Sequence, residues 1–219
     1  MKYEILKVND PSDKNHIKIP ILADLPFRIA IVGKSFLSGK TTVILNLLLR
    51  EKYYRNYFLG ENIYIVSNNK VDKKLKILME ELDVPDSNFM SFNEDVLDAL
   101  YDNLEEEHEE EKKKLHKLII FDDVAYSNGL KGSQAGIMSK YAMNSRHILA
   151  NILITTQKFS LMGTNIRSQL SGIFIAKTST KELELIEGDM NYLEDKKKFM
   201  KIMRDNTKGR DFFYKLYEY

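Results

Sequence analysis

The stretch Gly33-Lys-Ser-Phe-Leu-Ser-Gly-Lys-Thr-Thr42 decides the fold of this 219-residue chain. It follows an apolar run, Phe27–Val32, that predicts a buried strand, and it precedes Val43–Leu49, which predicts a helix. A strand, a glycine-bearing loop with Gly-Lys-Thr and a helix form the setting that a phosphate-binding loop requires. Backbone N–H groups at the start of such a helix surround an anion, and the helix dipole favours the negative charge.

The candidate nucleotide contacts are six residues of this stretch: Gly33, Ser38, Gly39, Lys40, Thr41 and Thr42. Lys40 would reach the β- and γ-phosphates, and the Thr41 hydroxyl would bind Mg²⁺. The usual pattern has four residues between its glycines, whereas Gly33 and Gly39 enclose five. A strand, turn and helix without a ligand is the alternative, and the flanking segments favour nucleotide binding over it.

Composition and charge exclude several other functions. The chain has no cysteine, which excludes disulfides and thiolate zinc sites, and its four histidines show no metal-ligand spacing. No apolar segment approaches the ~20 residues that cross a bilayer, and the chain does not begin like a signal peptide, so we expect no membrane partner. The 33 basic and 32 acidic residues give a net charge of +1, so any DNA contact needs a local basic patch.

The apolar runs predict an α/β fold. Residues 1–26 predict an irregular N-terminal arm, because they contain Pro11, Pro20 and Pro26, and residues 27–219 predict a single domain. Each run is apolar throughout and is separated from the next by helical segments, which favours a mainly parallel sheet with helices on both faces. After Phe27–Val32, the predicted strands are Asn62–Val66, Lys117–Phe121, Asn151–Thr156 and Gly172–Ala176.

Further elements follow from helical spacing and charge. The basic C-terminal stretch also contains Phe199, Ile202 and Met203, which indicates an ordinary amphipathic helix. The last residues, Asp211–Tyr219, predict an edge strand or hairpin. The predicted helices between the strands are Thr41–Phe58, Val71–Leu82 and Asn93–His116.

Two adjacent acidic residues end the third predicted strand. Asp122 follows four apolar residues and lies 82 positions after Lys40, which is the Walker B pattern of a carboxylate at the carboxyl end of a strand. Asp122 would hold Mg²⁺, and Asp123 would orient and deprotonate the attacking water. Adjacent acids alone are equally typical of a helix N-cap, but the upstream phosphate loop favours the catalytic interpretation.

Gln157 follows the fourth predicted strand in the same way. In P-loop ATPases with a separate catalytic acid, this strand lies between the phosphate-loop strand and the Walker B strand. Gln157 would then face the γ-phosphate and sense hydrolysis. A surface glutamine at a strand end is the alternative.

Together, five segments resemble the poxvirus-type genome-packaging ATPases, in the FtsK–HerA branch of P-loop ATPases. The resemblance covers about residues 27–177 and is carried by Gly33 with Ser38–Thr42, Leu118–Asp123, Ser145–His147, Ile152–Gln157 and Asn165–Ser168. Members of that family form rings that drive double-stranded DNA into a preformed capsid. One departure is Asp123, where the wider branch often has Glu.

The resemblance implies a RecA-like P-loop ATPase domain with sheet order 5-1-4-3-2, counting the predicted strands along the chain. It implies ATP and Mg²⁺ as cofactors. It also implies three partners: double-stranded DNA held without sequence preference, further copies of the chain in a homo-oligomeric ring, and capsid proteins. We expect the protein inside the infected host cell at the site of virion assembly, or associated with the virion.

Two arginines flank the predicted Gln157 strand. Arg146 and Arg167 are candidates for a catalytic arginine supplied across a subunit boundary, which would stabilise charge during phosphoryl transfer. Either is equally typical of a structural ion pair. Residues 126–144 are glycine-containing and mildly basic, and they predict either a DNA-contacting loop or a solvated one.

Two other functions remain open at this point. A small-molecule kinase would need an arginine-bearing lid and an acceptor pocket, and the strand that ends in Gln157 argues against it. A nucleotide-switched binding module would not need sustained hydrolysis, and the paired acids argue weakly against that.

Overall fold

The computed structural model describes residues 16–34, 38–69, 72–110, 114–124, 136–191, 195–209 and 211–217. Within these residues one sheet runs in the order β3-β2-β4-β5-β1-β6-β7. Neighbouring strands are parallel, except that β6 and β7 are antiparallel. The strands are β1 (Arg28–Val32), β2 (Ile63–Ser67), β3 (Phe89–Met90), β4 (Lys117–Asp122), β5 (Ala150–Thr156), β6 (Gly172–Ile175) and β7 (Phe213–Leu216).

The five strands predicted from apolar runs lie in the predicted order. Counted along the chain they are β1, β2, β4, β5 and β6, and their sequence across the sheet is β6-β1-β5-β4-β2, which is 5-1-4-3-2. The predicted C-terminal edge strand is β7. The seventh described strand, the two-residue β3, was not predicted, and it forms the opposite edge of the sheet. A strand of two residues is too short to produce a recognisable apolar run.

Helices cover both faces of this sheet, as predicted. Along β1, Ile29 and Ile31 face one core and Ala30 and Val32 face the other, because successive side chains of a strand point to opposite sides. The first core includes α1 and α2, and the second includes α3, α4, α6 and α7. The helices are α1 (Lys40–Leu49), α2 (Lys73–Glu81), α3 (Glu94–Glu110), α4 (Ile137–Asn144), α5 (Thr164–Arg167), α6 (Thr180–Met190) and α7 (Lys196–Asn206).

The first helix is shorter than predicted. It was expected to continue to Phe58, but α1 ends at Leu49 and Arg50 is extended. The cause is Tyr54, which is fully buried, donates a hydrogen bond to the Ala23 carbonyl oxygen at 2.7 Å and packs on Phe27. The helix ends before Tyr54, and the extended conformation at Arg50 allows the Tyr54 ring to be buried.

The predictions between β3 and β5 also need correction. The long helix ends at Glu110 rather than near His116, and residues 114–116 are not helical. Lys117 begins β4 with a fully buried side chain, paired with Glu107 at 3.0 Å, so the chain is already extended there. Of the predicted loop 126–144, residues 126–135 lie outside the described residues and 137–144 form α4.

Residues 16–26 pack against the sheet on the α1 side. Ile19, Leu22 and Leu25 are buried, and Ile17 forms a β-bridge with Leu25. The division into an arm of residues 1–26 and a domain of residues 27–219 stays a prediction. Among the described helices, none is both long and apolar enough to span a bilayer.

Candidate active site

Three of the predicted segments meet at one edge of the sheet. β5 lies between β1 and β4 and is parallel to both, so the carboxyl ends of these three strands are adjacent. The phosphate loop follows β1, the acidic pair ends β4 and Gln157 follows β5. This edge is where open α/β sheets bind ligands.

The two glycines of the loop are required by its shape. Gly39 precedes α1 with φ 85°, a conformation that side-chain-bearing residues rarely adopt. A Cβ at Gly33 would lie 3.0 Å from the Cβ of Ser38 and 3.1 Å from that of Ala176. The Gly33 N–H donates to the Thr156 carbonyl oxygen at 3.0 Å, which joins the start of the loop to the end of β5. Residues 35–37 lie outside the described residues.

Lys40 is buried within this loop. Its Nζ donates hydrogen bonds to the carbonyl oxygens of Gly33 at 3.0 Å and Lys34 at 3.4 Å. The ammonium group is therefore held at the end of β1, where the loop begins. Lys40 also lowers the pKa of Asp122, although more weakly than burial raises it.

The acidic pair is organised by Thr155, which is fully buried on β5. The Thr155 hydroxyl donates to Asp122 Oδ1 at 2.8 Å and accepts the Asp123 N–H at 2.9 Å. Burial raises the pKa of Asp122, and the negative charges of Asp123 and Asp72 raise it further, while the Thr155 hydrogen bond opposes them. A cation beside Asp122 would offset this cost of burying its charge.

Asp123 has an unusual backbone conformation that directs its side chain into the site. Its φ is 51°, in the left-handed region that Asp tolerates better than most residues. Its Oδ2 accepts a hydrogen bond from Gln157 Nε2 at 3.1 Å. Its Oδ1 is buried and has no hydrogen bond with a described residue. This oxygen is therefore available to a water or ligand in the site.

The residues present fit a Mg²⁺ ion that is held jointly with a nucleotide. Thr41 and Asp122 supply a hydroxyl and a buried carboxylate, which are the oxygen ligands that Mg²⁺ prefers. In the described part of the chain, no group of three or more acidic or histidine side chains forms a cage. Mg²⁺ typically uses one or two protein oxygens and completes its coordination with phosphates and waters.

A cavity of about 470 Å³ opens beside the phosphate loop, along the outer side of α1. Its volume is within the range of small-molecule sites, and aromatic rings form part of its wall. Its lining includes Thr42, Asn46, Arg50, Tyr53, Phe174 and Phe212.

Comparison with known proteins places the chain in a family. The family model described as "Poxvirus A32 protein" matches residues 14–217. The chain belongs to the poxvirus A32 protein family. This match confirms the resemblance to poxvirus-type packaging ATPases and agrees with a viral DNA-packaging ATPase rather than a kinase or a switch module. No curated protein sequence matches the chain.

Solved structures similar to this A32-family chain share its fold at low sequence identity. B204, the DNA-packaging ATPase from Sulfolobus turreted icosahedral virus, has a TM-score of 0.57 at 14% identity, over 89% of this chain and 99% of that one. The genome-packaging NTPase B204 from Sulfolobus turreted icosahedral virus 2, in complex with AMP, has a TM-score of 0.56 at 16% identity, over 87% and 92%. The pCW3 conjugation coupling protein TcpA has a TM-score of 0.57 at 17% identity, over 88% and 58%.

The two candidate arginines of this A32-family chain have different surroundings. Arg167 is engaged within its own chain: its Nε bonds to Asp189 Oδ2 at 2.7 Å and its Nη1 to the Met162 carbonyl oxygen at 2.8 Å, and its guanidinium lies over the Phe159 ring. Arg146 is exposed and forms no side-chain hydrogen bond or ion pair with a described residue.

Arg146 also lies far from the site of its own chain. It precedes β5, whereas Gln157 follows that seven-residue strand, so the two are about 20 Å apart along the strand. It borders a second cavity at the amino-terminal edge of the sheet, together with Arg28. Arg146 therefore cannot act on a nucleotide bound to its own phosphate loop.

Sequence reasoning missed two residues of this site. Thr155 is one position before the last residue of β5, where it reads as an ordinary β-branched strand residue. Lys74, the second, donates a hydrogen bond from Nζ to Thr42 Oγ1 at 2.6 Å. Because β4 pairs with β5, the contact of Thr155 with the acidic pair could have been predicted from the order of the strands. Nothing in the sequence relates α2 to the phosphate loop.

Proposed function

We propose that this A32-family protein hydrolyses ATP and uses the energy to drive viral double-stranded DNA into a preformed capsid. The observation that carries the proposal is the convergence of a phosphate loop, an acidic pair and Gln157 at the carboxyl ends of three adjacent strands. The buried Oδ1 of Asp123, which has no hydrogen bond with a described residue, adds a proton acceptor at that point.

Nucleotide binding follows from the loop and the adjoining cavity. Gly33, Ser38, Gly39, Lys40, Thr41 and Thr42 would surround the phosphates, and the cavity of about 470 Å³ would receive the ribose and base. B204, which has a similar fold, has been solved in complex with AMP, AMPPCP and ATP-gammaS, and this supports nucleotide binding.

Hydrolysis is assigned to Asp123. Its Oδ1 would accept a proton from the attacking water while Oδ2 keeps its hydrogen bond to Gln157, which fixes the carboxylate. Gln157 would lose or change this contact when the γ-phosphate leaves, so it would report hydrolysis to the rest of the protein. Mg²⁺ held through Thr41 and Asp122 would neutralise phosphate charge.

A homo-oligomeric ring would complete the site with an arginine from a neighbouring copy. Arg146 is favoured over Arg167 for this role, because its guanidinium is exposed while that of Arg167 is already bound to Asp189 and Met162. An arginine at the amino-terminal edge of the sheet reaches a phosphate loop only when this edge faces the carboxyl-terminal edge of the next subunit.

Duplex DNA would be held through its phosphates, without sequence preference. Lys140 is not available for this contact, since it bonds to Asp98 at 2.7 Å and Asp102 at 2.9 Å. On α7, Lys197, Lys201 and Arg204 are exposed at spacings of four and three residues, which places them on one face.

We also propose capsid proteins as partners and virion assembly in the infected cell as the setting.

The proposal is tested by ATP hydrolysis with and without duplex DNA of unrelated sequences. We expect DNA to stimulate hydrolysis regardless of sequence and DNA binding to weaken steeply with salt, because phosphate contacts release counterions. Lys40→Ala should abolish hydrolysis, whereas Lys181→Ala, a change at an exposed lysine of α6, should not. Near-normal turnover by Lys40→Ala, or phosphate transfer to a small acceptor in a kinase assay, would contradict the proposal.

A further inference from the structure

Lys74 brings a second ammonium group to the phosphate loop. Its Nζ donates a hydrogen bond to Thr42 Oγ1 at 2.6 Å, and both residues line the cavity beside α1. Lys74 is in the first turn of α2, which follows β2, so it reaches the loop from a different part of the fold than Lys40 does. Lys40 contacts the start of the phosphate-loop segment and Lys74 contacts its last residue, Thr42.

The start of α2 is held in this position by several contacts. The Asp72 carboxylate accepts the Lys74 N–H at 2.8 Å and caps the helix. Leu75 and Leu78, the next residue after Lys74 and the residue four positions on, bury α2 in the core that also contains α1. Burial is the largest cause of the raised pKa of Asp122, and the negative charge of Asp72 raises this pKa further.

We infer that Lys74 is a nucleotide ligand whose ammonium group binds the α-phosphate, an inference that rests on the proposed function. Lys40 acts at the β- and γ-phosphates. Thr42 lies two residues further along α1 and borders the cavity proposed for the ribose and base, so a cation beside Thr42 is at the nucleoside end of the phosphate chain. An ammonium group bonds more strongly to a phosphate oxygen than to a neutral hydroxyl, so a bound nucleotide would replace the Thr42 contact.

The test compares Lys74→Gln with Lys73→Gln by calorimetric titration with ATP, ADP and AMP. Both lysines are exposed in the same turn of α2, and the variants remove the same charge. Lys73 forms no ion pair or side-chain hydrogen bond with a described residue, so it controls for the general loss of positive charge. Circular dichroism and thermal melting establish that both variants are folded.

We expect Lys74→Gln to weaken the binding of all three nucleotides by about tenfold, as the loss of one charge-assisted hydrogen bond does. Lys73→Gln should stay within about twofold of the unaltered protein, since screening at physiological salt leaves little effect from a more distant charge. Equal effects of the two changes would show that only net charge matters and would overturn the inference.

Three further outcomes would also decide against the inference. A loss for ATP alone, with ADP and AMP unchanged, would place Lys74 at the γ-phosphate and overturn the assignment to the α-phosphate. Normal binding by Lys74→Gln would overturn the inference and leave the proposed function standing. Absence of nucleotide binding by the unaltered protein would instead overturn the proposed function, and the inference with it.

Discussion

The Thr155 hydroxyl lies between the two acidic residues of the site and contacts both of them. It donates a hydrogen bond to the Asp122 carboxylate and accepts one from the backbone N–H of Asp123. One side chain on β5 therefore fixes the end of β4, where the backbone turns into the left-handed conformation of Asp123. Because Thr155 is fully buried, no water can replace these two bonds without rearrangement.

Thr155→Val should reduce turnover by roughly tenfold to a hundredfold, because it leaves two buried polar groups unpaired while keeping the side-chain shape. Thr155→Ser keeps the hydroxyl and should restore most of the activity. Steady-state kinetics provide the measurement, and a positioning role predicts a lower kcat with little change in nucleotide affinity. A loss in the Ser variant with normal activity in the Val variant would indicate a packing role for the methyl group instead.

Asp123→Asn tests the assignment of the catalytic acid. The amide cannot accept a proton from water, so we expect hydrolysis to fall by at least about a hundredfold, the usual scale of general base catalysis. Nucleotide binding should persist, because the phosphate loop is unchanged. The measurement combines ATP turnover with a binding titration. Full activity of Asp123→Asn would show that the two acids have been assigned the wrong roles.

At the residue scale, position along a strand was enough to place Gln157 and the acidic pair at one edge of the sheet, while their catalytic roles stay predictions. The contact of Gln157 with Asp123 follows from two polar residues at the ends of neighbouring parallel strands. Thr155 and Lys74 were not predicted, because their roles depend on which atoms meet across β4 and β5 or between α1 and α2. Hydrogen bonds between distant segments leave no periodic signal in the sequence.

At the scale of elements, strands were predicted better than the ends of helices. A strand buried on both faces is apolar along its whole length, and the five long runs were recognised for that reason. Helix ends depend on distant contacts: α1 stops where Tyr54 must reach Ala23 and Phe27. The helical part of 126–144 was missed because its neighbouring residues are rich in glycine and polar groups.

Arg167 joins three short segments, and this gives a prediction about α5. Its bonds to Asp189 and Met162 connect α5 with α6 and with the turn after β5. Arg167→Ala should lower the free energy of unfolding by about 1–3 kcal/mol, as expected for hydrogen bonds of a partly buried charged group. Denaturant unfolding measures it. In a double-mutant cycle with Asp189→Ala the two effects should be less than additive, and full additivity would exclude a structural pairing.

At the scale of the whole molecule, the two edges of the sheet carry different parts of the proposed catalytic site. The carboxyl-terminal edge holds the phosphate loop and the acidic pair, and the amino-terminal edge presents Arg146 beside a cavity of about 660 Å³. A chain with these groups at opposite edges cannot bring them together by itself. If the amino-terminal edge of each copy faces the carboxyl-terminal edge of the next copy, the contact is heterologous. Heterologous contacts close into a ring when the rotation between neighbouring copies divides a full turn.

Arg146→Ala therefore tests both the ring and the sharing of residues between subunits. ATP affinity and unfolding stability should stay near those of the unaltered protein, because the exposed guanidinium has no described partner within its chain. Turnover should fall by roughly 10³–10⁵-fold, as for other arginine fingers. The measurement is ATP hydrolysis by the isolated variant, compared with Arg167→Ala, which should lose stability.

Mixing Arg146→Ala with Lys40→Ala should then restore part of the activity, although each variant alone is inactive. In a mixed ring, some interfaces join an intact phosphate loop to an intact Arg146 from the neighbouring copy, so those interfaces can hydrolyse ATP. Subunit exchange must first be established by light scattering with tagged copies. If stable mixed rings form and no activity returns, Arg146 does not act across the subunit boundary, and the opposite-edge arrangement serves only assembly.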